Sequence, residues 1–433
     1  MAAPLKIAIA GLGTVGAGVL KLLTEHADLI AERCGHRIVV GAVSARDRKR
    51  DRGVDIQGVR WYQDAAALAA DPEADVIVEL IGGADGVARQ VCEAALNAGK
   101  HVVTANKALL AHHGATLARL AESKGATLAF EASVAGGIPI VKALREGLAA
   151  NRLSRVYGIL NGTCNYILTT MRESRREFAE VLAEAQKLGY AEADPSFDVD
   201  GVDAAHKLAI LTSLAFGTAV DLAGVHVEGI RHVSSLDIDY ADELGYRIKL
   251  LGIARRTEHG IEQRVHPCMV PKGTPIAHVE GVYNAVVAEG DYVGRVVHEG
   301  RGAGAGPTAS AVVADLIDIA RSGSRTRLPT FAVPAAQLAP AQSSPMDRHV
   351  GAYYVRLMVL DRPGVIADVA AALRDEQVSM ESMLQHGRAP GEVVPVVLTS
   401  HDTGEAGMRR ALAKIAKLEA MIEPPRMIRI EPL

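Results

Sequence analysis

The sequence predicts an α/β fold in three parts: a parallel-sheet domain, an α+β domain, and a small C-terminal domain of βαββαβ order. Three observations carry this reading. The first third alternates short apolar runs with helical segments, the pattern of βαβ units. The middle third mixes helical and strand-like stretches without that alternation. Beyond a Pro/Ser/Ala-rich stretch, "LAPAQSSPMDRH", comes a second, shorter series of strands and helices.

In chain order, "LKIAIAG" is a strand that runs directly into a glycine motif. A helix over 15–31 follows, then strand "HRIVVGAVSA", a helix near 64–70, strand "ADVIVEL", a helix near 86–98 and strand "KHVVTAN". A helix over 114–124 leads to a buried strand in "ATLAFEASV". The mixed region holds helices near 139–149, 177–187 and 201–215, and strand-like stretches from "IEQRVHPCMV" to "YVGRVVHEG". "GRGAGAGPT" opens a helix over 310–321. The last series reads "AYYVRLMVL", a "DRPG" turn, a helix over 365–376, "VSMESMLQHG", "GEVVPVVLTS", a helix near 404–418 and "PRMIRIEP". The expected domains are 1–135, completed by 302–335; 136–301; a linker at 336–349; and 350–433. The ferredoxin-like order of the last domain is common and assigns no function by itself.

A chain of 433 residues buries enough surface to fold without metal or disulfide staples. Its 47 basic and 51 acidic side chains, net -4, lack the basic bias of a nucleic-acid binder and favour small-molecule partners. The four cysteines are widely spaced, with no CxxC pair, and no secretory leader is read at the start, which fits a reduced cytoplasm. The N-terminal apolar run is too short to span a membrane.

"IAGLGTVGAGVLKLL" sets Gly11, Gly13 and Gly16 between a strand and a helix. There glycines permit a tight turn and a close approach to a pyrophosphate at the helix N-terminus, the Rossmann arrangement. A glycine-rich structural turn is the plainer alternative. The second strand ends in "ARDRKR". Arg46, Arg48, Lys49 and Arg50 suit a 2′-phosphate and favour NADP, whereas Asp47 keeps NAD open and a solvated charge run reads the same. "GYAEADPSFDVDGVDAAHKLAIL" gathers Glu192, Asp194, Asp198, Asp200 and Asp203 before an apolar helix. Asp203 and Lys207 share a helical face, as a proton-donor assembly or as an ordinary i,i+4 ion pair. Glu192 and Asp198 suit an ammonium or hydroxyl group, and Asp194 and Asp200 suit solvated or capping roles. No HxxxH or HxxE pattern lies near to suggest a transition metal. Lys107, after "VVTAN", falls at the carboxyl edge of the sheet, where ligands of open α/β sheets bind, or is an exposed loop lysine. In "LNGTCNYIL", Asn161, Gly162, Thr163 and Asn165 suit a carboxylate at a helix N-terminus or a plain cap.

Taken as an ordered set, "GLGTVG", "ELIGG", "TANKALLA", "EASVAGGIPI", "LNGTCNYIL", the acidic stretch and "GRGAGAGPTASAVVADL" resemble the homoserine dehydrogenase family over about the first 330 residues. "VLDRPGVIADVAAAL" resembles an ACT domain, and no kinase domain is read ahead of the first strand, as in the family's monofunctional form. The resemblance implies reversible conversion of L-aspartate 4-semialdehyde to L-homoserine with NADP, or NAD, in threonine and methionine biosynthesis. It implies Lys207 as proton donor, with Asp203 and Lys107 beside it. It implies substrate contacts at Glu192, Asp198, Asp203, Gly162 and Thr163, and cofactor contacts at Gly11, Gly13, Thr14, Val15, Gly16, Arg46, Ile81, Lys107, Gly189 and Gly302. Sodium is implied at Glu131, Val134, Gly136 and Ile138, where the residues alone suggest only a tight Gly-Gly turn. A threonine effector is implied at Asp361 and Gly364; a dimerising module without ligand is the alternative. The resemblance also implies a homodimer or homotetramer, joined through 136–301, in the cytoplasm with no nucleic-acid or membrane partner. Two competing readings are a diaminopimelate dehydrogenase-like enzyme and a catalytically silent amino-acid sensor.

Overall fold

The structure, a computed structural model, describes residues 3–322, 328–386 and 391–433. Residues 323–327 of the segment expected to complete the first domain, and Gly387 at the end of "VSMESMLQHG", lie outside the described residues.

The first domain is built from β1 (Leu5–Ala10), α1 (Thr14–Glu25), α2 (Ala27–Cys34), β2 (Ile38–Ser44), β3 (Arg60–Tyr62), α3 (Ala65–Ala69), β4 (Val76–Glu79), α4 (Val87–Asn97), β5 (His101–Thr104), α5 (Lys107–Ser123) and β6 (Leu128–Ala129). Its six strands are parallel in the order β3-β2-β1-β4-β5-β6. Strand order reverses direction at β1, and the crevice at such a switch point is where α/β sheets bind ligands. Ile7 and Ile9 of β1 share one apolar core with Ala309, Val312 and Leu316 from far along the chain.

The middle of the chain gives α6 (Ile140–Lys142), β7 (Leu153–Ile159), α7 (Gly162–Ser174), α8 (Phe178–Lys187), α9 (Ser196–Val199), α10 (Val202–Phe216), β8 (Val225–Val227), α11 (Ser235–Glu243), β9 (Tyr246–Thr257), β10 (Gly260–Pro271), β11 (Tyr283–Gly290), β12 (Gly294–Arg301) and α12 (Ala305–Ser322). α10 is buried along nearly its whole length, which is why its sequence turns apolar all round beyond Lys207. α12 returns to the first domain and lies on α1, where a Cβ on Gly18 would sit 2.9 Å from the Ala305 carbonyl oxygen.

The last part holds β13 (Val350–Leu360), α13 (Val365–Asp375), β14 (Met380–Leu384), β15 (Val393–Ser400), β16 (Thr403–Gly404), α14 (Glu405–Ile415) and β17 (Arg426–Ile430), the expected βαββαβ order with one two-residue strand added. Its sheet does not stand apart. β17 pairs in parallel with β10 through Cys268↔Arg429 and Met269↔Ile430, so an 11-stranded sheet runs from β12 to β14.

Several elements differ from the sequence reading. The helix over 15–31 breaks at His26, whose backbone leaves helical geometry (φ -111°, ψ 23°), and a second helix runs on to Cys34. The helix placed at 114–124 starts at Lys107, because the Asn106 side chain caps it by accepting from Leu109 N–H at 3.0 Å. In "ATLAFEASV" only Leu128–Ala129 is strand, followed by a 3₁₀ turn at Glu131–Ser133. The 139–149 helix is three residues of α6 and a π turn at Ala143–Gly147. β9, absent from the reading, pairs with both β7 and β10. The 336–349 segment is pinned: Ile261 N–H donates to Gln342 O, Ser344 N–H to Ile261 O, and the His349 ring meets Glu262 at 2.6 Å.

Candidate active site

At the switch point the chain leaves β1 through Gly11, in left-handed geometry (φ +106°), and enters α1 at Thr14. A Cβ on Gly11 would lie 2.5 Å from Leu80 O, and one on Gly16 2.2 Å from Gly11 O, so both positions require glycine. Gly13 caps α1 and faces open space: a Cβ there would meet nothing within 4 Å. With Thr14 and Val15 in the first turn, this leaves a bare backbone cradle at a helix N-terminus, suited to a pyrophosphate. Across the crevice, buried Glu79 accepts from Ile81 N–H at 2.8 Å and Gly82 N–H at 3.0 Å, and Thr104 Oγ1 donates to its other oxygen at 2.5 Å. Glu79 therefore shapes the loop carrying Ile81; the sequence reading missed it because a carboxylate ending an apolar strand looks like a strand terminus. Arg46 is exposed beyond β2.

Beside this cradle a cleft of about 440 Å³ is lined by Lys107, Gly162, Thr163, Gly189, Asp198, Asp203, Lys207 and Gly302. These eight come from distant places in the chain. Asp203 and Lys207 lie one turn apart on α10, with Lys207 Nζ donating to Asp203 Oδ2 at 2.7 Å and to Leu160 O at 2.7 Å. Lys107 Nζ reaches the other Asp203 oxygen at 3.1 Å. Asn161 caps α7 by accepting from Cys164 N–H, and its Nδ2 donates to Asp198 and Asp203, each at 2.8 Å. One carboxylate thus binds two ammonium groups and an amide. Burial pushes Asp203 up, but Lys207 and Lys107 hold it well below the usual carboxylate range. Asp198 is shifted upward by burial against a partly offsetting bond from Asn161. Neighbouring His206 is pushed down to about 4 by burial and by His112, so it sits neutral behind the pair.

Not every expected residue joins them. Glu192 is exposed on the loop before α9, and among the described residues only its backbone carbonyl is engaged, by Gln186. Thr163 lines the cleft, but its hydroxyl is spent on Tyr190 O at 2.7 Å, tying α7 to the Gly189 turn. Asn165 turns away, donating to the carbonyls of Val279 and Tyr283. Asp200 pairs with Arg231, and Asp194 caps a turn at Ser196. A further residue escaped the sequence reading: Asn284, fully buried beneath the cleft, with both amide atoms unpartnered among the described residues. It packs against Gly302, where a Cβ would fall 2.2 Å from the Asn284 amide nitrogen.

The loop holding Glu131, Val134, Gly136 and Ile138 backs this cleft. Gly137 N–H donates to Arg301 O at 3.1 Å, and Gly136 (φ +50°) presses on Gly302. The buried Glu131 carboxylate accepts from Val141 N–H and Lys142 N–H, each at 2.9 Å; burial and nearby Asp315 push it up to about 7. Among the described residues no hydrogen bond reaches the carbonyls of Val134 or Gly136, while that of Ile138 accepts from Ile140 N–H. A carboxylate with free carbonyl oxygens is the donor chemistry of a hard cation. Far from here, Gly364 caps α13 in left-handed geometry, and the Asp361 backbone bonds to Glu392 and Gly391.

Comparison with known proteins agrees with this geometry. The family model for homoserine dehydrogenase matches residues 139–317, that for the homoserine dehydrogenase NAD binding domain 11–131, and that for the ACT domain 353–420. The chain is 46% identical over 433 residues to a homoserine dehydrogenase of Neisseria gonorrhoeae, covering 99% of each. It is 47% identical over 434 residues to that of Pseudomonas aeruginosa, again covering 99% of each. Among solved structures, a homoserine dehydrogenase from Thiobacillus denitrificans superposes with a TM-score of 0.94 at 46% identity, covering 99% of this chain and 98% of that one. A hyperthermophilic archaeal homoserine dehydrogenase in complex with NADPH gives 0.64 at 26% identity, covering 75% and 99%.

Proposed function

Because the chain belongs to the homoserine dehydrogenase family, an NAD(P)-dependent oxidoreductase of amino-acid biosynthesis interconverting L-aspartate 4-semialdehyde and L-homoserine, we propose that Lys207 is its proton donor. The observation that carries this is the buried Asp203 carboxylate binding both Lys207 and Lys107 at the head of one cleft. When bound, the nicotinamide supplies or takes up the hydride. Lys207 gives its proton to the aldehyde oxygen as the alcohol forms, and takes it back in the reverse direction. Asp203 and Leu160 O fix the direction of its ammonium group, and Lys107 adds a second positive charge near the developing oxyanion. Asp198 receives the substrate's ammonium group, with Glu192 reaching it from the rim, and the N–H groups of Gly162 and Thr163 in the first turn of α7 receive the carboxylate.

The glycine cradle fits a dinucleotide, with Gly11, Gly13, Thr14, Val15 and Gly16 around the pyrophosphate, and Ile81, Gly189 and Gly302 along the path to the cleft. Arg46 and its cationic neighbours favour NADP over NAD. A sodium ion held by Glu131, Val134, Gly136 and Ile138 would stiffen the loop that presses on Gly302. Threonine is the proposed effector at Asp361 and Gly364, between paired ACT domains of a homodimer or homotetramer. The four cysteines are free and buried, which supports a cytoplasmic location, and among the described residues no helix is long and apolar enough to cross a membrane. The comparisons do not favour the diaminopimelate dehydrogenase-like or silent-sensor readings. Absorbance at the nicotinamide band, with L-homoserine and NADP or NAD, with and without threonine, tests these details. Faster turnover with NAD would remove the cofactor preference, and rates indifferent to threonine would remove the effector.

A further inference from the structure

The loop after β2 carries five cations, Arg46, Arg48, Lys49, Arg50 and Arg52, and among the described residues only the Arg52 side chain is held by hydrogen bonds. β2 ends beside the glycine cradle, where Gly11 N–H donates to Ser44 O at 2.9 Å. Arg52 then staples the loop over that cradle: its Nε donates to Leu12 O at 2.9 Å and its other nitrogens to the carbonyls of Arg50 and Asp47. One oxygen of the Asp47 carboxylate accepts from Lys49 N–H at 2.8 Å and closes a local turn. On the neighbouring strand β3, the ring of Trp61 packs on the first domain's apolar core. Over that ring lie the guanidinium groups of Arg52, 5.7 Å from its centroid, and of Arg48, 5.9 Å. Arg52 is consumed by backbone carbonyls. Arg48 is exposed and, among the described residues, makes no hydrogen bond or ion pair.

We infer that Arg48, propped on Trp61, is a second cation beside Arg46 that selects the cofactor's 2′-phosphate, with Trp61 as its positioning residue. A guanidinium presents a planar fork of donors to phosphate, and holding it against an aromatic face lowers the entropy lost on binding. Among the described residues Arg46 lies over no aromatic ring. Asp47, the carboxylate that would hold an unphosphorylated ribose, is engaged in its own turn. The inference deepens the NADP reading above and rests on it.

Calorimetric titration of the full chain with adenosine 2′,5′-bisphosphate and with 5′-AMP reads the 2′-phosphate contact without turnover. The wild type is expected to bind the bisphosphate more tightly. Arg48→Ala should lower the ratio of the two affinities about tenfold, the scale of one charge-assisted contact to phosphate. Trp61→Leu should lower it in the same direction, with little change for 5′-AMP; an unshifted ratio in Arg48→Ala, a surface change, overturns the inference even if Trp61→Leu does not fold. A wild type that binds both nucleotides equally removes the NADP reading and the inference together. A wild-type preference that survives Arg48→Ala but collapses in Arg46→Ala leaves the NADP reading standing and refutes the role of Arg48.

Discussion

At the residue scale, the polar contacts of the cleft converge on one carboxylate. Asp203 is buried, yet three donors converge on it, and its depressed pKa keeps it ionised wherever the enzyme works. The sign follows from the depression: the stability it contributes is fully present above the ordinary Asp value near 4 and is lost as pH falls through its lower folded-state value. Asp203 should therefore add no ionisation to the pH–rate profile between about pH 5 and 9. A wild-type ionisation in that window that vanishes in Asp203→Asn would contradict this. The sequence made the Asp203–Lys207 pair legible through i,i+4 spacing ahead of an apolar helix. Lys107, far away in the chain, was placed beside the pair only by the family resemblance, and spacing could not show that Asn161 serves as cap and bridge at once. Those facts depend on β5 and β7 ending at the same cleft, and that is a property of topology.

At the element scale, the glycines around the cleft record where backbone meets backbone or side chain. Gly302 follows β12 with no room for a methyl group, because Asn284 of β11 occupies that volume. Gly302→Ala should overpack the site and destabilise the protein by about 1–3 kcal/mol. Adding Asn284→Ala removes the colliding atoms, so the double variant should be more stable than Gly302→Ala alone; urea unfolding midpoints measure the difference, and simple additivity would refute the collision. Asn284→Ala alone loses no described hydrogen bond, so its midpoint should move by less than truncating a bonded buried amide would. Strands and helices with clean periodicity were legible from sequence. The misses have local causes: His26 breaks a continuous amphipathic run, Asn106 starts a helix inside what reads as a loop, and β9 is buried on both faces and so lacks alternation.

At the scale of the whole molecule, the C-terminal ACT domain is fused to the catalytic sheet by buried charge. Arg429 bonds to Glu405 and Glu228, and Arg264 to Glu431, all at the β10–β17 junction. Arg264→Met should cost about 3–5 kcal/mol by leaving Glu431 buried without its partner, whereas Arg264→Met with Glu431→Leu should recover most of that loss. Chemical unfolding of both variants checks it, and equal losses would show that the pair is not the source. Acid should loosen the same junction. Burial pushes Glu262 up, but the His349 ring and Arg264 pull it down to about 2, so its contribution is present above the ordinary Glu value near 4.3 and is lost as pH falls toward 2. Glu262→Gln should blunt the fall in unfolding midpoint across that window; an unchanged acid limb would count against it. The sequence's Pro/Ser-rich stretch suggested a spacer between independent domains, and composition could not reveal that its carbonyls and amides pair with Ile261.

The central claim, that Lys207 held by Asp203 moves the proton, is tested most directly by turnover of Lys207→Ala, followed at the nicotinamide absorbance beside a calorimetric measurement of cofactor affinity. The account predicts turnover lowered by at least about a hundredfold with cofactor affinity largely kept. Near-normal turnover in the folded variant would contradict it.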